Sequence, residues 1–192
     1  MANRSSAVRL PRAREAAPAP IKYSLRPRLT AIAPSTVEVV RSAGGWLFDQ
    51  VMAGWDVTVL TADHGDSRPF EILGARLRDL EAILALPLVG ECLQAVAVRA
   101  DLYESDERVR GMVLRAVGEG QADIRFWGDF RREGPGAGAD RLSHRLSFAA
   151  RAFKAQALAA AAAPAEPAGV AQDVEFFRRR QVRRPSPAAA QA

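Results

Sequence analysis

The stretch Trp55-Asp56-Val57-Thr58-Val59-Leu60-Thr61-Ala62 decides the fold, because its β-branched residues favour extended backbone. It is bounded by Gly54 on one side and by the polar residues 63–67 on the other, which is typical of a short buried strand. A segment with helical spacing precedes it. A helix, a glycine and a Val-rich strand in this order are typical of the second half of a βαβ unit, so we predict an α/β domain.

The preceding helix has a clear start signal. Ser35 and Glu38 have the spacing of a capping box, in which the serine hydroxyl accepts a hydrogen bond from the amide three residues later. Apolar residues follow at helical spacing up to residue 51, and a short apolar run at 29–33 comes before. The pair Gly44 and Gly45 inside this helix predicts close packing against a neighbouring element, since each glycine costs roughly 1 kcal/mol relative to alanine.

The rest of the chain alternates between helical and extended patterns. Residues 70–84 have a helical period, with a strand at 69–74 as the alternative. Residues 88–103 fit a helix slightly better than a strand, residues 105–118 fit a helix, 122–127 a strand, and 142–157 a last helix. We therefore predict a small, mostly parallel sheet of about three to four strands covered by helices.

Basic charge is concentrated at the two ends of the 192-residue chain, whose formal net charge is +5. Residues 1–34 carry seven basic residues against one acidic residue, and residues 164–192 carry five against three, so the middle is mildly acidic. Proline and like charges disfavour regular structure in both ends. We predict a disordered basic arm at 1–27, one α/β domain at 28–160, and an Ala/Pro linker with a basic C-terminal tail at 161–192.

Composition excludes several classes of protein. The single Cys92 excludes a disulfide framework or a Cys-based zinc site within one chain, and we expect it to be a buried thiol. The sequence contains no run of eighteen apolar residues, so it predicts no transmembrane span, and we expect a cytoplasmic protein. The dinucleotide, P-loop, HExxH and GxSxG motifs are absent. We therefore predict a non-enzymatic module that binds a protein partner or small ligand, and assign no catalytic residue and no cofactor.

Acidic residues at predicted strand ends suggest one alternative. Asp63, His64 and Asp66 follow the strand at 55–62, and Asp129 follows the strand at 122–127. If residues 94–100 also form a strand, Asp101 lies at the same edge of the sheet as Asp63 and Asp129. Ligands of α/β sheets bind at this edge, beyond the carboxyl ends of the strands. Such oxygen ligands could hold Mg²⁺ for an enzyme acting on a phosphorylated substrate. The alternative is that these acids only cap turns and helices.

The C-terminal segment suggests a second alternative. Two aromatic residues stand beside five arginines, namely Phe176, Phe177, Arg178, Arg179, Arg180, Arg183 and Arg184. Such a tail could stack on bases and pair with phosphates, as in a nucleic-acid accessory protein, or lie on an anionic lipid surface. The ordinary interpretation is a solvated tail, or a short segment that docks its two phenylalanines on the domain.

Overall fold

The computed structural model describes residues 26–63, 65–86, 93–118, 123–129, 140–161 and 173–181. In chain order the elements are β1 (Arg28–Ala33), α1 (Thr36–Met52), β2 (Asp56–Thr61), α2 (Arg68–Leu73), β3 (Arg76–Asp79), α3 (Leu80–Leu84), β4 (Ala95–Arg99), α4 (Ala100–Ser105), α5 (Glu107–Gly118), β5 (Asp123–Trp127), β6 (Asp140–Arg145), α6 (Phe148–Ala160) and β7 (Val174–Gln181). None of the helices in these ranges is long and apolar enough to cross a membrane.

The strands form one mixed sheet in the order β3-β2-β1-β4-β5-β7-β6. The first five strands of this order are parallel, whereas β7 runs antiparallel to both β5 and β6. The α/β class is therefore confirmed, but the sheet has seven strands instead of the three to four that we predicted. The difference comes from β3, β6 and β7, which the sequence patterns assigned to a helix or to a tail.

Two apolar cores lie on the two faces of the sheet. On one face, α1, α2 and α6 pack together over side chains such as Ala31 and Val59. On the other face, α3, α4 and α5 cover side chains such as Ile32, Val98 and Phe126. The central strands are buried on both faces, which explains their nearly continuous apolar sequences.

Helix α1 forms as the sequence predicts. The Ser35 hydroxyl accepts a hydrogen bond from the Glu38 amide at 3.4 Å, and Gly54 follows the helix with a positive φ of 90°. The glycine pair does allow close packing, because a Cβ at Gly45 would lie 2.5 Å from the Leu146 side chain. A Cβ at Gly44 would make ordinary contacts of 3.4 Å or more, so only the second glycine is required by the packing.

Three predicted segments of secondary structure are wrong. Residues 70–84 do not form one helix but contain the end of α2, then β3, then α3. Gly74, with a φ of 74°, ends α2 and lets the chain turn into β3. Residues 88–103 contain the strand β4 instead of a long helix, and residues 142–157 are divided between β6 and α6. The run Ala95–Arg99 fitted both periods, whereas β3 and β6 are mostly polar and are strands because they pair with β2 and β7.

The C-terminal tail prediction also needs correction. Residues 174–181 form β7, which lies in the sheet between β5 and β6. Phe177 is buried there against the ring of Trp46, with ring centroids 5.0 Å apart. Glu175, counted above as a tail acid, is only 1% exposed. The domain boundaries at 27/28 and 160/161 stay predictions, as does disorder in the terminal residues that lie outside the described ranges.

Candidate functional site

The strand order contains one point where ligands of α/β sheets commonly bind. The chain leaves β1 toward β2 on one side, whereas β4 lies on the other side of β1, so the direction of winding changes between β1 and β4. At such a point the connections after the two strands diverge and leave a crevice beyond their carboxyl ends. Residues that follow β1, β2, β4 and β5 therefore define the candidate site, which we call the switch-point crevice.

Asp63 holds the loop after β2 against the start of α1. Its Oδ2 accepts a hydrogen bond from the Thr36 amide at 2.9 Å, and its Oδ1 accepts one from the Thr36 hydroxyl at 3.3 Å. The loop approaches closely, because a Cβ at Gly65 would lie 2.6 Å from the Thr36 hydroxyl oxygen. The carboxylate thus satisfies a helix amide that has no partner within the helix.

Arg99 links the end of β4 to the first turn of α1. Its Nε donates to Asp101 Oδ1 at 2.6 Å, and its Nη1 forms an ion pair with Glu38 Oε1. The Ser42 hydroxyl donates to the same Glu38 oxygen at 2.9 Å. Burial would lower the pKa of Arg99, but the hydrogen bonds and charges of Asp101 and Glu38 outweigh it and raise this pKa. The guanidinium therefore keeps its charge at any pH at which the protein is folded.

The loop after β5 reaches the same place. Gly128 has a φ of 88°, and a Cβ there would lie 3.5 Å from Arg99 Cγ. Asp129 follows this glycine and is exposed. Among the described residues that follow β1, β2, β4 and β5, Glu38, Asp63, Asp101 and Asp129 therefore bring four carboxyl groups to the end of the sheet where Arg99 lies.

The described members of the predicted acidic cluster are Asp63, Asp66 and Asp129. Within the described ranges, no group of three or more His, Cys, Asp or Glu side chains is placed to hold a metal ion. Asp63 is bonded to Thr36, and Asp66 Oδ1 accepts from the Arg68 amide at 2.9 Å, which is the turn-capping role given above as the alternative. His64 and Cys92 lie outside the described residues.

The predicted tail residues are distributed over β7. Phe176 is exposed, Phe177 is buried, and Arg179 Nε donates to Asp123 Oδ1 at 2.7 Å. Arg178 and Arg180 stand opposite residues of β5 in the sheet register. Arg183 and Arg184 lie outside the described residues. The side chains of residues 176–179 therefore alternate between the two faces of the sheet.

Solved structures with the same fold include enzymes. A deacetylase of the teicoplanin pathway, in complex with teicoplanin, is 16% identical with a TM-score of 0.54, over 79% of this chain and 97% of that one. The A40926 pseudoaglycone deacetylase is 18% identical with a TM-score of 0.51, over 70% of this chain and 81% of that one. The 4-carboxy-2-hydroxymuconate hydratase of Pseudomonas putida is 11% identical with a TM-score of 0.49, over 83% of this chain and 98% of that one. No protein-family model and no curated protein matches the sequence.

The prediction of a non-enzymatic binding module is wrong, because the chain has the fold of solved deacetylases. That prediction was drawn from absent motifs, and a site assembled from several strand ends leaves no contiguous motif in the sequence. The two alternatives stated with it gain no support: residues 174–181 form a strand, and the described acids form no metal-binding group.

Arg99, the central member of the site, was not predicted from the sequence. It is the last residue of the run Ala95–Arg99, and its role depends on reading that run as a strand that ends at the switch point. Glu38 was recognised only as a helix-capping residue. Opposite charges at the ends of two different elements, 61 residues apart, give no local signal that pairs them.

Proposed function

We propose that this chain is an enzyme that hydrolyses an amide bond of a small, amine-bearing molecule in the switch-point crevice. The observation that carries the proposal is the meeting of Arg99 and Glu38 at the point where the winding of the sheet changes direction. The deacetylase fold supports the choice of amide hydrolysis among the reactions that a carboxylate and a guanidinium can promote.

The two residues have complementary roles in this reaction. The Glu38 carboxylate takes a proton from a water molecule whose oxygen adds to the acyl carbon. The Arg99 guanidinium stabilises the negative charge that develops on the acyl oxygen. The carbon–nitrogen bond then breaks, the proton passes from Glu38 to the leaving nitrogen, and the products are a carboxylic acid and an amine.

The charge of the crevice supports an amine-bearing substrate. Among the described residues, Glu38 and Asp101 pair with the Arg99 guanidinium, and Asp63 and Asp129 lie on the loops after β2 and β5 at the same end of the sheet. A site with excess negative charge favours cationic molecules over anionic ones. Asp129 is exposed and Asp101 is half-exposed, so both can face a bound ammonium group.

The test is an assay of amine release from a panel of N-acetylated amines that differ in size and in the number of further amino groups. We expect the wild-type chain to release amine, and Glu38→Gln to lower kcat by about 10²–10⁴-fold. Arg99→Met should lower kcat by about 10²–10³-fold. Glu107→Gln is the matched control, because Glu107 is an exposed carboxylate on α5 that pairs with Arg110 and not with Arg99.

Circular dichroism of each variant separates a loss of activity from a loss of fold. The proposal is wrong if the folded wild-type chain hydrolyses none of the panel, or if Glu38→Gln is as active as Glu107→Gln. A cytoplasmic location stays a prediction from the sequence.

A further inference from the structure

Among the described residues, no helix covers the face of the β6–β7 pair that lies opposite α1 and α6. Side chains alternate along both strands, and those that point toward α1 and α6 include His144, Glu175 and Phe177. The opposite face therefore carries the intervening residues, which are Arg141, Ser143, Arg145, Val174, Phe176 and Arg178. We call these six residues the β6 face. The described core on this side of the sheet includes residues of β5 but none of β6 or β7.

The β6 face is strongly basic. Arg141 and Arg145 are exposed, and within the described ranges neither forms an ion pair. Arg141 stands directly opposite Arg178 in the register, so both strands bring a guanidinium to this face. Phe176 is 70% exposed and stands opposite Ser143. The exposed guanidinium groups of Arg141 and Arg145 therefore favour an anionic occupant at this edge of the sheet.

The backbone of β6 indicates which kind of anion fits. β6 is the last strand of the sheet order, so in the part of the chain that the structure describes no strand pairs with its outer edge. The amide and carbonyl groups along such an edge are matched by another extended peptide, and nucleic acid or lipid offers no equivalent row of donors and acceptors. Charge and backbone together favour an extended peptide with acidic side chains.

We propose that β6 binds an acidic, extended segment of a partner protein, which adds to the sheet as an eighth strand. Arg141 and Arg145 are four residues apart on one strand, which places them about 13 Å apart along it. Acidic side chains at alternate positions of the added strand would reach both arginines. This proposal does not depend on the reaction proposed above, because the β6 face and the switch-point crevice share no residue.

The test uses the full chain and a labelled, end-blocked hexapeptide of alternating Glu and Val, with binding measured by fluorescence anisotropy at low salt. We expect saturable binding that Arg141→Glu with Arg145→Glu weakens by roughly tenfold or more. The control is Arg68→Glu with Arg115→Glu, which changes the net charge equally at exposed arginines of α2 and α5 and should change the affinity by about twofold at most.

A second peptide tests strand addition itself. The same hexapeptide with alternate backbone amides methylated keeps its charge but cannot form the strand hydrogen bonds, and it should not bind. Equal binding of the two peptides overturns the proposal, as does equal weakening by the two double variants. Tighter binding of a single-stranded RNA hexanucleotide than of the acidic peptide, lost in Arg141→Glu with Arg145→Glu, would overturn it in favour of nucleic acid.

Discussion

In the parallel part of the sheet, β1 and β4 bury apolar side chains on both faces, whereas in the antiparallel part β7 buries a carboxylate on one face. Glu175 accepts hydrogen bonds from the Gly45 amide at 3.0 Å, the Trp46 amide at 2.8 Å and Lys154 Nζ at 2.7 Å. Burial raises the pKa of Glu175, and the charge of Lys154 and the bonds from the amides only partly oppose this.

This difference between apolar burial in β1 and β4 and carboxylate burial in β7 shows which part of the molecule depends on specific contacts between residues far apart in the sequence. An apolar strand can pack against many apolar neighbours, because the hydrophobic effect has no direction. A buried carboxylate is tolerated only where donors meet it with good geometry. The antiparallel part is therefore fixed by a few specific contacts among α1, α6 and β7, and single substitutions should affect it most.

The largest expected effect is at the buried ion pair. Lys154→Met leaves the Glu175 carboxylate without its cation and should lower the free energy of unfolding by about 3–5 kcal/mol in urea titrations. Arg151→Met on the same helix is the control: it breaks an ion pair with Asp173 whose side chains are both about 40–50% exposed, and should cost less than about 1 kcal/mol.

A double variant separates the charge from the hydrogen bonds. Adding Glu175→Gln to Lys154→Met removes the unpaired charge but keeps an oxygen that accepts from the α1 amides, so it should recover part of the lost stability. Equal costs for Lys154→Met and Arg151→Met would mean that the antiparallel part does not depend on this pair.

The next effect comes from the glycine pair of α1. Gly45→Ala would place a Cβ 2.5 Å from Leu146, which must shift, and we expect a net loss of about 1–2 kcal/mol. Gly44→Ala makes only ordinary contacts and should gain up to about 1 kcal/mol from helix propensity. Thermal melts of the two variants give the comparison, and equal shifts of Tm in the same direction would contradict the close packing of α1 on the segment after β6.

The smallest effect is a pH dependence at Asp49, where α1 contacts β6 and α6. Its Oδ2 lies 2.8 Å from His144 Nε2 and accepts from the Ser147 amide at 3.2 Å. Burial alone would raise the pKa of Asp49, but the hydrogen bonds from Ser147 and His144 outweigh it and lower this pKa. As the pH falls, Asp49 is therefore protonated in the unfolded chain before it is protonated in the folded chain. The stability that the Asp49 carboxylate contributes is complete above about pH 4 and is lost as the pH falls further.

Asp49→Asn tests this dependence. Its cost should be about 1 kcal/mol at pH 7 and should shrink as the pH is lowered from 5 to 2.5, as measured by urea unfolding at each pH. A cost that stays constant over this range would show that the charge of Asp49 contributes nothing to the contact.

Local signals were sufficient for α1 and β2 and insufficient for β3, β4 and the antiparallel part. The capping box at Ser35 and Glu38 and the β-branched run at 57–61 predicted α1 and β2, because both signals lie within a few residues. β7 could not be predicted in this way, since its arginines and its Glu175 are suitable for a strand only when Lys154, Asp123 and the α1 amides are in place.

The candidate site shows the same division. Asp63 and Asp129 were found because each follows a predicted strand and a turn signal. Arg99 and its pairing with Glu38 were missed because β4 was read as part of a helix, so the sequence did not indicate that the two residues meet. What a residue does at a strand end depends on the order of the strands, which no local pattern specifies.

The position of β7 between β5 and β6 has a consequence for synthesis on the ribosome. β6 leaves the ribosome before β7, yet among the described strands it pairs only with β7. The five parallel strands can associate first, while β5 keeps an open edge until residues 174–181 arrive. A nascent chain halted before that point would expose this edge, the kind of surface on which misassembly begins and to which chaperones bind.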